Sequence, residues 1–180
     1  MTQLSRRFIL AALPALALSA CAAPRGTIGS KSAPPSRLFS AAESVRPAAL
    51  RAGDPPLYAN ETMELRALIN KWADFYAVPR DLVHAQIVRE SRHTPGARNG
   101  PYYGLMQIHP RTAATMGFSG PDAALLDPDV NLQYAVKYLR GAWMVSDGSY
   151  DRAVGWYSRG YYYEAKRRGL LEETGLASSG

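Results

Sequence analysis

From residue 57 onward the chain is a series of apolar stripes at helical spacing, each closed by a glycine, proline or Asp-Gly break. No segment shows the sustained period-two alternation of a half-buried strand. That pattern restricts the chain to a mostly α fold. Asn60 can cap a first helix carrying Met63, Leu65, Leu68, Ile69, Trp72, Phe75 and Tyr76. Pro79 fits the first turn of a second helix that runs through Leu82 to Ser91. His93 to Tyr103 holds Pro95, Gly96, Asn99, Gly100 and Pro101 and reads as a loop. Pro110 opens a short helix stopped by Gly117. Asp127-Pro128 starts a longer one with Leu132, Ala135, Val136, Leu139, Ala142 and Trp143 on its apolar face, and Asp147-Gly148 ends it. Ser149 can cap the next helix, through Trp156 and Tyr157, up to the break at Arg159-Gly160. Tyr161 to Leu171 reads as a last helix, with a tail expected to fray from Thr174. Residues 57–172 thus form one helical domain, at about 115 residues large enough for one core, and 173–180 form the tail.

The preceding segments have other compositions. Arg6 and Arg7 precede the apolar run Phe8 to Leu18, which is too short to span a bilayer well. Residues 1–20 therefore read as a signal peptide. Ser5-Arg6-Arg7 also carries some likeness to a twin-arginine signal, and ordinary n-region charge explains it equally well. Leu18-Ser19-Ala20-Cys21 resembles a bacterial lipobox, in which the cysteine is lipidated. Cys21 is the one cysteine of the chain, and an unpaired cysteine in an exported protein calls for such an explanation. Residues 21–56 hold six prolines among Ala, Ser and Gly and read as a flexible tether, with a short helix possible around 41–50.

From Cys21 the chain keeps 19 of its 21 basic residues and all 15 acidic ones, a net charge of +4. An anionic surface such as cell wall or lipid headgroups suits that balance. Nucleic acid does not, because no basic run exceeds Lys166-Arg167-Arg168 and export removes the partner. His84, His93 and His109 lack zinc-site spacing, so no metal is expected. No Gly-x-Ser-x-Gly elbow and no Gly-rich phosphate loop occurs. No cofactor is implied.

Glu90 is the leading catalytic candidate. Val83, Ile87 and Glu90 share one helix face at i, i+4 and i+7. On that stripe, in the last turn, desolvation and the negative end of the helix dipole both raise a carboxyl pKa, as a general acid requires. The nearest upstream acid, Asp81, lies roughly 13 Å away along the axis, too far for a standard carboxylate pair. Asp122 and Asp151 could still fold close.

Glu90-Ser91, then Gly104-Leu105-Met106-Gln107 with Pro110 and Thr112-Ala113, then Ala153-Val154-Gly155-Trp156-Tyr157-Ser158-Arg159-Gly160 follow one another in order. This set resembles the lytic transglycosylases of the soluble (SLT) type, relatives of goose-type lysozyme, over roughly residues 57–171. The resemblance implies a lysozyme-like helical domain. It implies a monomer that cleaves the MurNAc-GlcNAc bond of peptidoglycan strands with 1,6-anhydro-MurNAc formation, Glu90 serving as both acid and base. It places Met106 and Gln107 along the sugar cleft, Tyr157 on the Glu90 carboxylate, and Ser91 and Ser158 among the substrate contacts. Plainer roles stay open: Met106 as core filler, Gln107 at a solvent-facing helix start, Tyr157 as a core aromatic and Ser91 as a helix cap. Tyr102, Tyr103, Trp156, Tyr161, Tyr162 and Tyr163 offer faces for sugar stacking, with core packing expected for at least half of them.

The chain departs from the family pattern at Pro101-Tyr102-Tyr103 before the Gly-Leu-Met-Gln block, at Asn99, where Ser is usual, and at Ser158-Arg159 after the Tyr. Those departures bear on subsite shape, not on the acid. A hydrolytic muramidase and a wall-binding protein with little activity remain alternative readings. Lipidation at Cys21 would anchor the domain to a membrane. Ala22 lacks the Asp that often retains lipoproteins at the inner membrane, so periplasmic residence on the outer membrane is expected.

Overall fold

The computed structural model describes residues 55–176; the segment read as a signal peptide, Cys21 and the part before Pro55 of the segment read as a tether lie outside them. Six α-helices follow in order: α1 Met63–Phe75, α2 Arg80–Glu90, α3 Pro110–Thr115, α4 Pro128–Met144, α5 Tyr150–Arg159 and α6 Tyr162–Arg168. A 3-10 helix, Asp122–Leu126, precedes α4. This is the expected mostly α, lysozyme-like single domain.

α4 is the central element and packs against α1, α3, α5 and the 3-10 helix. Its start follows from the sequence: the Asp127 carboxylate accepts from the Asp129 and Val130 amides, and Pro128 occupies the first turn. Leu132, Ala135, Val136, Leu139 and Ala142 are fully buried along its face. Asp129 ties α4 to α1 by accepting from Trp72 Nε1 at 2.6 Å and Lys71 Nζ at 2.9 Å. Ser149 caps α5 through the Arg152 amide. At the end of α4, Tyr161 packs onto Gly141, where a Cβ would collide with the phenol ring, and donates to the Tyr138 carbonyl at 2.9 Å.

Several local expectations change. Thr62, not Asn60, caps α1, with its hydroxyl accepting from the Leu65 amide. Asn60 sits at positive φ and its amide donates to the Arg92 carbonyl. Pro79 is the cap residue of α2 rather than part of its first turn. Phe75, placed on the apolar stripe of α1 by its spacing, is 71% exposed, with its ring edge-on to Trp72 and Tyr76. The last helix stops at Arg168, where Gly169 takes a left-handed conformation. Thr174, expected in a frayed tail, is buried, and its hydroxyl donates to the Leu170 carbonyl at 2.7 Å. The loop after α2 contains a two-residue hairpin, β1 Arg98–Asn99 against β2 Tyr102–Tyr103, too short for any periodicity to announce.

Beneath the N-terminal end lies a buried polar cluster. Arg66 grips the Glu61 carboxylate with Nε and Nη2, both at 2.6 Å, and also donates to the Pro55 and Pro56 carbonyls. His84 Nδ1 and His93 Nε2 are 3.1 Å apart, and Tyr58 stacks on both imidazoles. Burial pushes His84 down to about 4, against the opposing pull of Glu61, and lowers His93 too. Burial alone would raise Glu61; its hydrogen bonds from Arg66 and the Tyr58 amide outweigh that and hold it below the ordinary carboxyl value.

Candidate active site

Glu90 is the last residue of α2 and stands, half-buried, at the junction of two depressions of about 710 and 290 Å³. Arg89, Glu90, Asn99 and Gln107 line both. Both are open to solvent, and together they make up the groove that Glu90 borders. Among the described residues lining it, Glu90 is the one carboxylate; Asp81, Asp122 and Asp151 lie elsewhere. Burial raises the Glu90 pKa, and the neighbouring Arg89 charge partly counters the rise.

A hydrogen bond within α2 orients the acid. Gln86, fully buried one turn earlier, donates Nε2 to Glu90 Oε1 at 2.7 Å. The Gln86 Oε1 has no partner among the described residues. A side-chain amide can donate to a carboxylate, or, turned over, accept from a carboxylic acid. Gln86 therefore suits both protonation states of its neighbour. Sequence reasoning missed it, although an i, i+4 Gln-Glu pair is a readable spacing.

The Gly-Leu-Met-Gln block is a tight turn, and its geometry separates Met106 from Gln107. Tyr103 and Ile108 exchange backbone hydrogen bonds at 3.1 Å across it. Gly104 takes φ +72°, and a Cβ there would collide with the Asn131 amide and the Leu125 carbonyl. Asn131, buried on α4, locks the turn: Nδ2 donates to the Tyr103 and Leu125 carbonyls, both at 2.8 Å, and Oδ1 accepts from the Met106 amide at 3.0 Å. Met106 is consequently turned inward and fully buried. It does not line the groove as expected; the tight turn carries its side chain into the core. Gln107, at φ +45°, faces the groove. Its Nε2 donates to the Ala97 and Gly104 carbonyls, and its amide oxygen takes no hydrogen bond among the described residues.

Tyr157 lines the larger depression, and its hydroxyl donates to the Met106 carbonyl at 2.9 Å instead of to Glu90. The expected bond to the acid is replaced because the inward turn at Met106 presents its carbonyl to this buried phenol. Burial, then the nearby Glu90 charge, pushes the Tyr157 pKa well up, so it stays a neutral donor. Ser158 lines the same depression with its hydroxyl on the Val154 carbonyl, and Ser91 lines the smaller one while accepting from the Thr94 amide. Of the six aromatics, Tyr102 lines the groove, Tyr103 and Tyr161 are buried, and Tyr162 and Tyr163 are exposed away from it. Trp156 lies under the Arg159 guanidinium, 4.0 Å from its ring centre.

The transglycosylase SLT domain matches residues 67–168. The chain belongs to that family. The match takes in α2 with its terminal glutamate, the Gly104 turn and the Tyr157 helix, every element that borders the groove. An SLT domain is a peptidoglycan-acting domain of the lytic transglycosylase type, and peptidoglycan is the ligand its groove implies. Arg89, Arg111, His109 and Tyr138 also line the SLT groove and carried no sequence signal, since each is an ordinary helix or loop residue until the fold gathers them. Among the described residues, Glu61, His84 and His93 are the one group whose ligand atoms could approach a single ion, all within 4.8 Å. Arg66 already holds both oxygens of that carboxylate, so a divalent cation would have to share it with a guanidinium.

Proposed function

We propose that the protein is a lytic transglycosylase in which Glu90 acts first as acid and then as base. The observation that carries the reading is a groove whose described lining has one carboxylate, half-buried and with a raised pKa. Glycosidases of the two standard kinds need a second carboxylate about 5–9.5 Å from the first. A lytic transglycosylase does not. Protonated Glu90 delivers its proton to the oxygen between MurNAc and GlcNAc, and that C–O bond breaks. The substrate's own N-acetyl group supports the cationic carbon. The Glu90 carboxylate then takes the proton of the C6 hydroxyl, whose oxygen closes the 1,6-anhydro ring. The acid is restored and no water is consumed.

Gln107 and Tyr157 border the reacting sugars, and Gln86 keeps Glu90 aligned through the cycle. Export through residues 1–20 and lipidation at Cys21 would place the domain at the wall, in the periplasm on an outer-membrane anchor. The test is digestion of purified sacculi by the protein and by Glu90→Gln, with products read by mass spectrometry. Anhydro-muramic ends from the unaltered protein alone are expected. Reducing ends would make it a muramidase, and binding without release by either form would make it a wall-binding module.

A further inference from the structure

Most basic side chains away from the groove are satisfied by the protein. Lys71, Arg80, Arg152, Arg167 and Arg168 meet carboxylates, and Lys137 and Arg140 meet backbone carbonyls. Arg89, Arg92, Arg98, Arg111 and Arg159 meet neither among the described residues, and all five line the two depressions around Glu90. Arg98 and Arg159 rest on aromatic faces, Tyr103 and Trp156, which stiffen them without neutralising them. Gly155 makes room for the second of these, since a Cβ there would lie 2.6 Å from Arg159 Nη1.

A strand of N-acetylglucosamine alone does not call for this. Its hydroxyl and N-acetyl groups are neutral, and one carboxylate does not balance five guanidiniums. The arrangement also works against the acid, because the Arg89 charge favours ionised Glu90. Guanidinium forks match carboxylates. We infer that the arginine-lined groove is a carboxylate subsite, which holds the lactyl or stem-peptide carboxylates of the strand while Glu90 works on the sugar. The inference deepens the peptidoglycan reading and rests on it: anionic strands bind, and neutral chitin-like strands do so poorly.

The test measures binding of the full-length protein to three solids: native sacculi, sacculi whose carboxylates are amidated with carbodiimide and methylamine, and chitin. Arg111→Gln/Arg159→Gln is compared with Arg140→Gln/Lys166→Gln, which removes the same charge away from the groove. Surface ion pairs carry up to about fivefold each, so the groove variant is expected to lose about tenfold on native sacculi and nothing on amidated sacculi. The control variant should keep its affinity. Equal binding of the unaltered protein to native and amidated sacculi overturns the subsite. So does an equal loss in the control variant, or binding that disappears when hydrofluoric acid strips phosphate polymers from sacculi that keep their carboxylates. Anhydro products are scored in parallel. Turnover with carboxylate-independent binding sinks the subsite alone, whereas carboxylate-dependent binding without turnover sinks the reaction alone.

Discussion

At the scale of single residues, Glu90 carries a conflict between stability and chemistry. Its folded pKa lies above that of an unfolded carboxyl. Such a group costs stability as pH rises through the folded pKa, because the unfolded chain releases the proton more readily. Glu90→Gln should therefore abolish turnover yet raise Tm at pH 7 by a few degrees, a pattern common where a site is tuned for activity. Calorimetry beside the sacculus digest checks both halves. The same pKa should appear as the alkaline limb of kcat/KM, since the free enzyme needs the protonated acid. Gln86 is the positioning residue here. A donor to the carboxylate favours its ionised form, so Gln86→Met should move that limb to higher pH and lower kcat about tenfold. Stability should hold, because the change also removes the unpartnered buried Oε1. An unmoved pH limb would reduce Gln86 to packing.

At the scale of elements, the turn from Tyr103 to Ile108 depends on α4 for its shape. Two hydrogen bonds with Asn131 hold it, one accepted by the Tyr103 carbonyl and one donated by the Met106 amide, and a third ties Asn131 to the Leu125 carbonyl. Asn131→Ala would leave the buried Met106 amide unsatisfied and open a void beside Gly104, at a cost of about 3 kcal/mol. Urea unfolding should show that loss, and turnover should fall with it as Gln107 loses its orientation toward the groove. A variant of unchanged stability would mean that the turn holds itself through the Tyr103 and Ile108 backbone pair. Two side-chain caps, Asp127 and Ser149, and the Gly160 break stand where spacing placed them, whereas the α1 cap fell on Thr62 and not on Asn60. The two-residue hairpin and the 3-10 helix were not, because neither is long enough to repeat a pattern.

At the scale of the whole domain, the Glu61, Arg66, His84 and His93 cluster sets acid sensitivity. Unfolded histidine takes up a proton near pH 6.5, while buried His84 refuses it down to about 4. The unfolded chain therefore binds more protons across that window, and stability falls as pH drops through it. His93 acts in the same direction. Glu61, held below its ordinary value, adds a further loss as it is protonated at still lower pH. Thermal melts should show Tm declining from pH 6.5 to 4, with a shallower slope in His84→Gln. A flat profile would show that the two imidazoles take up protons in the folded state as readily as in the unfolded one.

The chain's local order was settled by the sequence alone: apolar spacing dictates helices, capping residues and glycines end them, and the ordered motif set identifies the family. Glu90 was legible for the same reason, as a carboxylate on an apolar face at a helix end. What each motif side chain does was decided by tertiary contacts between distant segments. The Met106 carbonyl takes the Tyr157 hydroxyl 51 residues away, and the Tyr103 carbonyl takes Asn131 28 residues away. Those bonds send Met106 inward, leave Gln107 in the groove and divert Tyr157 from the acid. The convergence of five arginines on one groove is of the same kind. Charge has no period along a chain, and where it gathers depends on how the helices pack.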